Sequence, residues 1–161
     1  MGNVGIATTI NSLISVTKNE DAREKYLTFE VNGKKYGISV SNVISVDQIQ
    51  EATTMPGLPY YAKGNINYYG TIVPLIDLSL RLGEVEQEYT SQAGIIVVDI
   101  DGVQIGFMVG AIKEIHNIND EQISPPPSLC SEAGGRVMVG VALIEKDIVF
   151  LLNSRALACD K

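Results

Sequence analysis

The sequence predicts a mainly β protein made of two related halves, each supplying about five short strands closed as a small barrel. Three observations predict it. Apolar residues recur with period two in short runs, Asn-Gly and Asp-Gly pairs directly follow such runs, and one stretch near the start recurs without a gap near the middle. Long helical patterns are nearly absent, and Gly and Pro punctuate the chain at intervals that suit sheets closing their own edges.

Residues 1–25 are expected to form an N-terminal arm, partly flexible, and residues 26–161 a single domain with repeat blocks at about 26–82 and 94–153. In the arm, Ile6, Ile10, Leu13 and Ile14 fall on one face at helical spacing. The β-branched Thr and Ile content works against a helix, so a short docking helix and a frayed tail both stay open. From Tyr26 the period becomes two. Tyr26, Thr28 and Glu30 alternate with Leu27, Phe29 and Val31, and Asn32-Gly33 supplies the positive φ angles of a tight hairpin. Gly94 to Asp99, followed by Ile100-Asp101-Gly102, repeats the design. Pro59 to Ala62 and Leu78 to Leu82 each suggest one turn, and Ser154 is expected to N-cap a short C-terminal helix through Ala158.

Laying Val31 to Val46 over Ile100 to Ile115 matches Gly33, Gly37 and Val40 to Gly102, Gly106 and Val109, at an offset of 102 − 33 = 69. A second block matches Gly64 to Gly140 and the strands Ile72 to Asp77 and Ile148 to Asn153, at an offset of 140 − 64 = 76. The order is the same in both halves. The difference, 76 − 69 = 7 residues, is then a loop insertion in the second half, consistent with Pro125-Pro126-Pro127 and Gly134-Gly135.

A hydrophobic fraction of 45% with 19% charged residues is that of a packed globular chain. Nineteen acidic against twelve basic residues give a net charge of -7, a field that repels nucleic-acid phosphates and anionic membranes. With no apolar run near the ~20 residues of a membrane span and no secretory signal, the expected compartment is the cytoplasm. Cys130 and Cys159 lie far apart without a CxxC and are expected to be reduced thiols. The single His116 stands without a nucleophile or a metal-ligand cluster, and Glu84, Glu86 and Glu88 look like a solvated charged linker. No catalytic residue, metal or cofactor is expected.

The most informative stretch is Tyr60 to Gly83, YYAKGNINYYGTIVPLIDLSLRLG. At Lys63, Gly64, Ile66, Asn67, Gly70, Val73, Pro74, Asp77 and Leu78 it resembles the signature of the CheW family. Tyr36-Gly37-Ile38 with Val40, Val43 and Val46 resembles the family's first hairpin, and Val98 through Val109 its second, so the likeness runs from about Tyr26 to Leu157. The resemblance implies two intertwined five-stranded β-barrel subdomains of the CheW-like type with a short C-terminal helix. It also implies a non-catalytic adaptor that couples chemoreceptor cytoplasmic tips to the regulatory domain of a CheA-type histidine kinase. By that likeness Val43, Val46, Gly64, Asn67, Tyr69 and Gly70 line a groove for the receptor tip, and Gly140 lies near a kinase face.

Three positions depart from the pattern: Tyr69 stands where the family usually has arginine, and Ser45 and Gly110 stand where it usually has acidic residues. Losing both charges of a pair avoids stranding one of them, which costs roughly 3 to 5 kcal/mol when the survivor is buried. These changes bear on receptor choice rather than on the fold. The alternatives are a CheW-like scaffold for another kinase pathway and a small β-barrel hydrolase. The chain's ending soon after Leu157 is expected to leave no room for a receiver domain.

Overall fold

The computed structural model describes residues 9–16, 25–126 and 137–158. Ile6, Pro127, Cys130, Gly134, Gly135 and Cys159, all singled out above, lie outside them. Residues 9–16 form helix α1. There follow β1 (Lys25–Val31), β2 (Lys34–Ser39), β3 (Val43–Gln48), β4 (Ala62–Tyr68), β5 (Thr71–Asp77) and helix α2 (Leu78–Arg81). The second repeat gives β6 (Gly94–Ile100), β7 (Val103–Val109), β8 (Ala111–Asn117), β9 (Ile123–Ser124), β10 (Met138–Ile144), β11 (Asp147–Leu152) and helix α3 (Ser154–Ala158).

The elements keep both offsets found in the sequence. β1 and β6 start 94 − 25 = 69 residues apart, and β4 and β10 start 138 − 62 = 76 apart. The extra residues fall between β8 and β10, where the second half adds a 3-10 turn at Asp120–Gln122 and the two-residue β9. The first half holds a rudiment of β9, since Thr53 bridges Asn65 as Ser124 pairs with Val141.

The strands form a five-stranded sheet in the order β3-β6-β7-β5-β4 and a six-stranded one in the order β8-β1-β2-β11-β10-β9. The two halves are therefore intertwined, as the family resemblance implies: hairpin β1–β2 lies in the six-stranded sheet and hairpin β6–β7 in the five-stranded one. The reason is the parallel pairing of β5 with β7 and of β11 with β2. A tight turn cannot supply a parallel neighbour, so each half takes it from the other.

Each sheet encloses an apolar interior. Ile66, Val73, Leu75, Ile95, Val97 and Met108, with Ile44 packed against them, draw on all five strands of the first sheet, both edges included. The edges of a flat five-stranded sheet would stand about 19 Å apart, too far to share one cluster, so this sheet curls. A hydrogen bond between the hydroxyls of Ser45 on β3 and Tyr68 on β4 joins its two edges. Tyr26, Ile118, Ala142, Val149 and Leu151 form the corresponding interior of the second sheet. A third, larger cluster lies between the sheets and takes Leu27, Phe29 and Val31 from one and Ile76, Ile96 and Val98 from the other. β6 faces both its own interior and this shared one, which explains its unbroken apolar run Ile95 to Val98.

Both repeats end on a capped helix. The Asp77 carboxylate Oδ1 accepts from the Ser79 amide at 3.0 Å and the Leu80 amide at 3.4 Å. Asn153 Oδ1 accepts from the Ala156 amide at 3.2 Å. The C-terminal cap is thus Asn153 rather than the expected Ser154, because Asn153 is the repeat partner of Asp77 and Ser154 is the first helical residue. Arg81 of α2 joins the two ends, donating to the carbonyls of Leu157 at 3.0 Å and Ala156 at 2.9 Å and lying 5.2 Å from the centre of the Tyr61 ring.

Candidate partner-binding surface

The turn between β4 and β5 is built from Asn67, Tyr68, Tyr69 and Gly70. Tyr69 at φ 50° and Gly70 at φ 85° give the left-handed pair of a tight hairpin, and the Asn67 side-chain oxygen accepts from the Gly70 amide at 2.8 Å. Tyr69 is consequently thrown outward and is 89% exposed, its ring edge-on to Tyr68 at 4.8 Å. Tyr68, not Tyr69, reaches Ser45. The two departures from the family pattern are thus linked through the residue between them.

The other expected site residues lie deeper. Val43 and Val46 are 0% and 3% exposed and belong to the cluster between the sheets. Gly64 is buried at φ 128°, and a Cβ there would stand 2.2 Å from the Thr53 carbonyl oxygen, so glycine lets the 53–54 segment cross β4. Gly140 repeats this role, with Ile123 Cγ2 at 2.4 Å and the Ser124 carbonyl oxygen at 2.6 Å from such an atom. The structure therefore brings Asn67, Tyr69 and Gly70 together at one exposed tip, and places Val43, Val46, Gly64 and Gly140 in packing positions.

Gly110 is also in a packed position, partly buried. Its amide donates to the Glu30 carbonyl at 2.8 Å, and a Cβ would meet Gln87 Oε1 at 2.6 Å. The acidic stretch after Gly83 is solvated at Glu86 and Glu88, as expected from its charge, but is anchored at Glu84. Glu84 accepts from the Tyr36 hydroxyl at 2.6 Å and pairs with Lys34 at 3.3 Å, Glu86 pairs with Lys63, and the Val85 carbonyl accepts from Asn32 Nδ2 at 2.8 Å. Burial first, and then the Glu84 carboxylate, push the Tyr36 hydroxyl above its ordinary pKa. His116 lies 3.1 Å from Glu114 and is partly exposed on β8. Among the described residues no group of three His, Cys, Asp or Glu side chains is placed to hold a metal, and no helix is long and apolar enough to cross a membrane.

Sequence reasoning did not single out the apolar residues that stay outside. On the β4–β5 hairpin Ile72 is exposed beside the Tyr69 tip, and on β10–β11 Leu143 and Ile148 are exposed, Ile148 being the repeat partner of Ile72. The signal was available: both isoleucines open the matched strand blocks, one position from the turn. Each sheet thus presents an outward apolar hairpin. Within the α1 segment, the Asn11 side chain bonds the backbone of Val46 in both directions, accepting at 2.8 Å and donating at 3.0 Å. Leu13, expected on the buried face with Ile10 and Ile14, is 43% exposed instead.

Two curled sheets that exchange hairpins, each presenting an outward apolar hairpin, define an intertwined two-sheet β-module. The CheW-like domain model matches residues 25–160, so the chain belongs to the CheW family. It is 36% identical over 104 residues to the chemotaxis protein CheW of Bacillus subtilis, covering 65% of this chain and 67% of that protein. It is 30% identical over 139 residues to the probable chemotaxis protein CheW of Rhizobium etli, covering 86% of this chain and 89% of that one. Its fold matches the crystal structure of the scaffolding protein TtCheW from Thermoanaerobacter tengcongensis with a TM-score of 0.77 at 27% identity, over 84% of this chain and 92% of that one. The intertwined, mainly β architecture with a short C-terminal helix is that of the family.

Proposed function

We propose that this chain is a cytoplasmic, non-catalytic chemotaxis adaptor that couples chemoreceptor tips to the regulatory domain of a CheA-type histidine kinase. Membership of a family of chemotaxis scaffolds supports the reading, and one geometric observation carries it. The two sheets expose matching apolar hairpins, with Tyr69 and Ile72 on one and Leu143 and Ile148 on the other. A connector needs two such faces, and several modest contacts joined in one body give large avidity without any tight one.

The receptor tip, a helical hairpin, is assigned to the side carrying Val43, Val46, Gly64, Asn67, Tyr69 and Gly70, where a helix binds by setting its apolar ridge into a groove. The second sheet, on the side of Gly140, is assigned to the kinase. Tyr69, with Asn67 and Gly70 at the same exposed tip, meets a partner without rearrangement. The test is to titrate the purified chain with a receptor tip fragment and, separately, with the kinase regulatory domain by calorimetry. Binding to both is expected, with Tyr69→Ala weakening the tip complex; absence of binding to both overturns the reading.

A further inference from the structure

We propose that the outer edge of β3 at Val46 is a seat for an amphipathic helix, that the chain's own α1 fills this seat, and that a partner helix docks there only by displacing α1. The proposal rests on the receptor-groove assignment made above.

β3 is an edge strand, and an edge strand turns unpaired N–H and C=O groups outward. At Val46 both are taken by one side chain: the amide donates to Asn11 Oδ1 at 2.8 Å, and the carbonyl accepts from Asn11 Nδ2 at 3.0 Å. A neighbouring strand would satisfy the same two groups. On either side of Asn11, one turn apart, Ile10 and Ile14 are 3% and 2% exposed and join the cluster that holds Val43 and Val46. Ser12, Leu13, Ser15 and Val16 face outward. The seat therefore reads a short pattern, an apolar pair at i and i+4 with a side-chain amide between.

α1 is a weak owner of that seat. Its residues, Thr-Ile-Asn-Ser-Leu-Ile-Ser-Val, are mostly β-branched or amide- and hydroxyl-bearing types that favour helix poorly. Its helicity comes from the contacts it makes on β3, and any helix that presents the same pattern makes them too. Val43 and Val46 meet a partner only when the seat is vacated. The apparent affinity for that partner is lowered by the fraction of molecules in which α1 is docked.

The experiment uses the full chain, its Asn11→Ala variant and an Ile10→Ala/Ile14→Ala variant. Amide hydrogen exchange at Val46 reads the seat, and titration with the receptor tip fragment reads the partner. Loss of the Asn11 bonds is expected to speed Val46 exchange about tenfold and to tighten tip binding severalfold, with the double variant following the same direction. Unchanged Val46 exchange in both variants overturns the seat. Faster exchange with unchanged or weaker tip binding overturns the competition and leaves the receptor assignment standing. A tip fragment that binds none of the three forms removes the receptor assignment, and the proposal with it.

Discussion

Gly37 and Gly106 occupy equivalent places in the two repeats, and the same thing fills the space above each. A Cβ at Gly37 would stand 3.1 Å from Leu151, and one at Gly106 would stand 3.1 Å from Leu75, the leucines being repeat partners on the parallel neighbouring strands. Gly64 is under tighter constraint, because its obstacle is backbone and its φ of 128° is left-handed. Gly64→Ala is expected to lower stability by about 3 kcal/mol or more. Gly70→Ala, where nothing stands within 4 Å of the added carbon, should cost only the strain of its φ, about 1 kcal/mol. Urea unfolding of the two variants checks this; equal losses would mean that the crossing segment is not what constrains Gly64. The glycine pairs were legible in the sequence as matches. Their purpose was not, since the atoms that forbid a side chain come from strands or loops distant in the chain.

At the scale of single elements, four hairpins carry two left-handed residues each: Asn32-Gly33, Tyr69-Gly70, Asp101-Gly102 and Glu145-Lys146. The first and third were legible as turns because Asn-Gly and Asp-Gly announce them. The last was hidden, because nothing in Glu-Lys favours positive φ and only the pairing of β10 with β11 imposes it. Lys146 sits at φ 76° where the other three hairpins have glycine. Lys146→Gly is therefore expected to raise stability by about 1 kcal/mol, seen as a higher urea midpoint with an unchanged slope. The anchoring of the acidic segment is hidden for a related reason: charge density in a sequence reports solvation, which holds at Glu86 and Glu88, but not that Asn32, Lys34 and Tyr36 wait across the gap to engage Glu84 and Val85. α1 was left open in the sequence because propensity opposed it and the contact that decides it, Asn11 with Val46, spans β1 and β2.

The topology predicts that the whole molecule folds as one unit. A fragment of residues 25–82 holds β3, β4 and β5 but lacks β6 and β7, which stand between β3 and β5 in the sheet. Such a fragment is expected to show no cooperative thermal transition by circular dichroism, whereas the full chain shows a single one. Protonation ties the fold together as well. Burial raises the hydroxyl pKa of Tyr26, Tyr36 and Tyr89 above the ordinary 10.0, with Asp120 adding to it at Tyr26 and Glu84 at Tyr36. Below that value both states keep these protons and the full stability is present; above it the unfolded chain gives them up first, so stability falls as pH rises. Urea midpoints measured from about pH 8 to 11 should fall beyond about pH 10, less steeply in Tyr36→Phe. The duplication was legible from the sequence; the exchange of hairpins came only with the family resemblance, because identical halves read the same whether they keep or trade their strands.

The chain passes from one sheet to the other between β2 and β3 through Val40–Asn42 alone, and between β7 and β8 through Gly110 alone. Such short crossings hold no slack, and the shared apolar layer fills the space beside them. Force arriving at one end of the molecule must then load hydrogen-bonded ladders at once instead of stretching a tether. The protein is built as a strut, and any bending in an assembly that contains it has to occur at its joints with its neighbours.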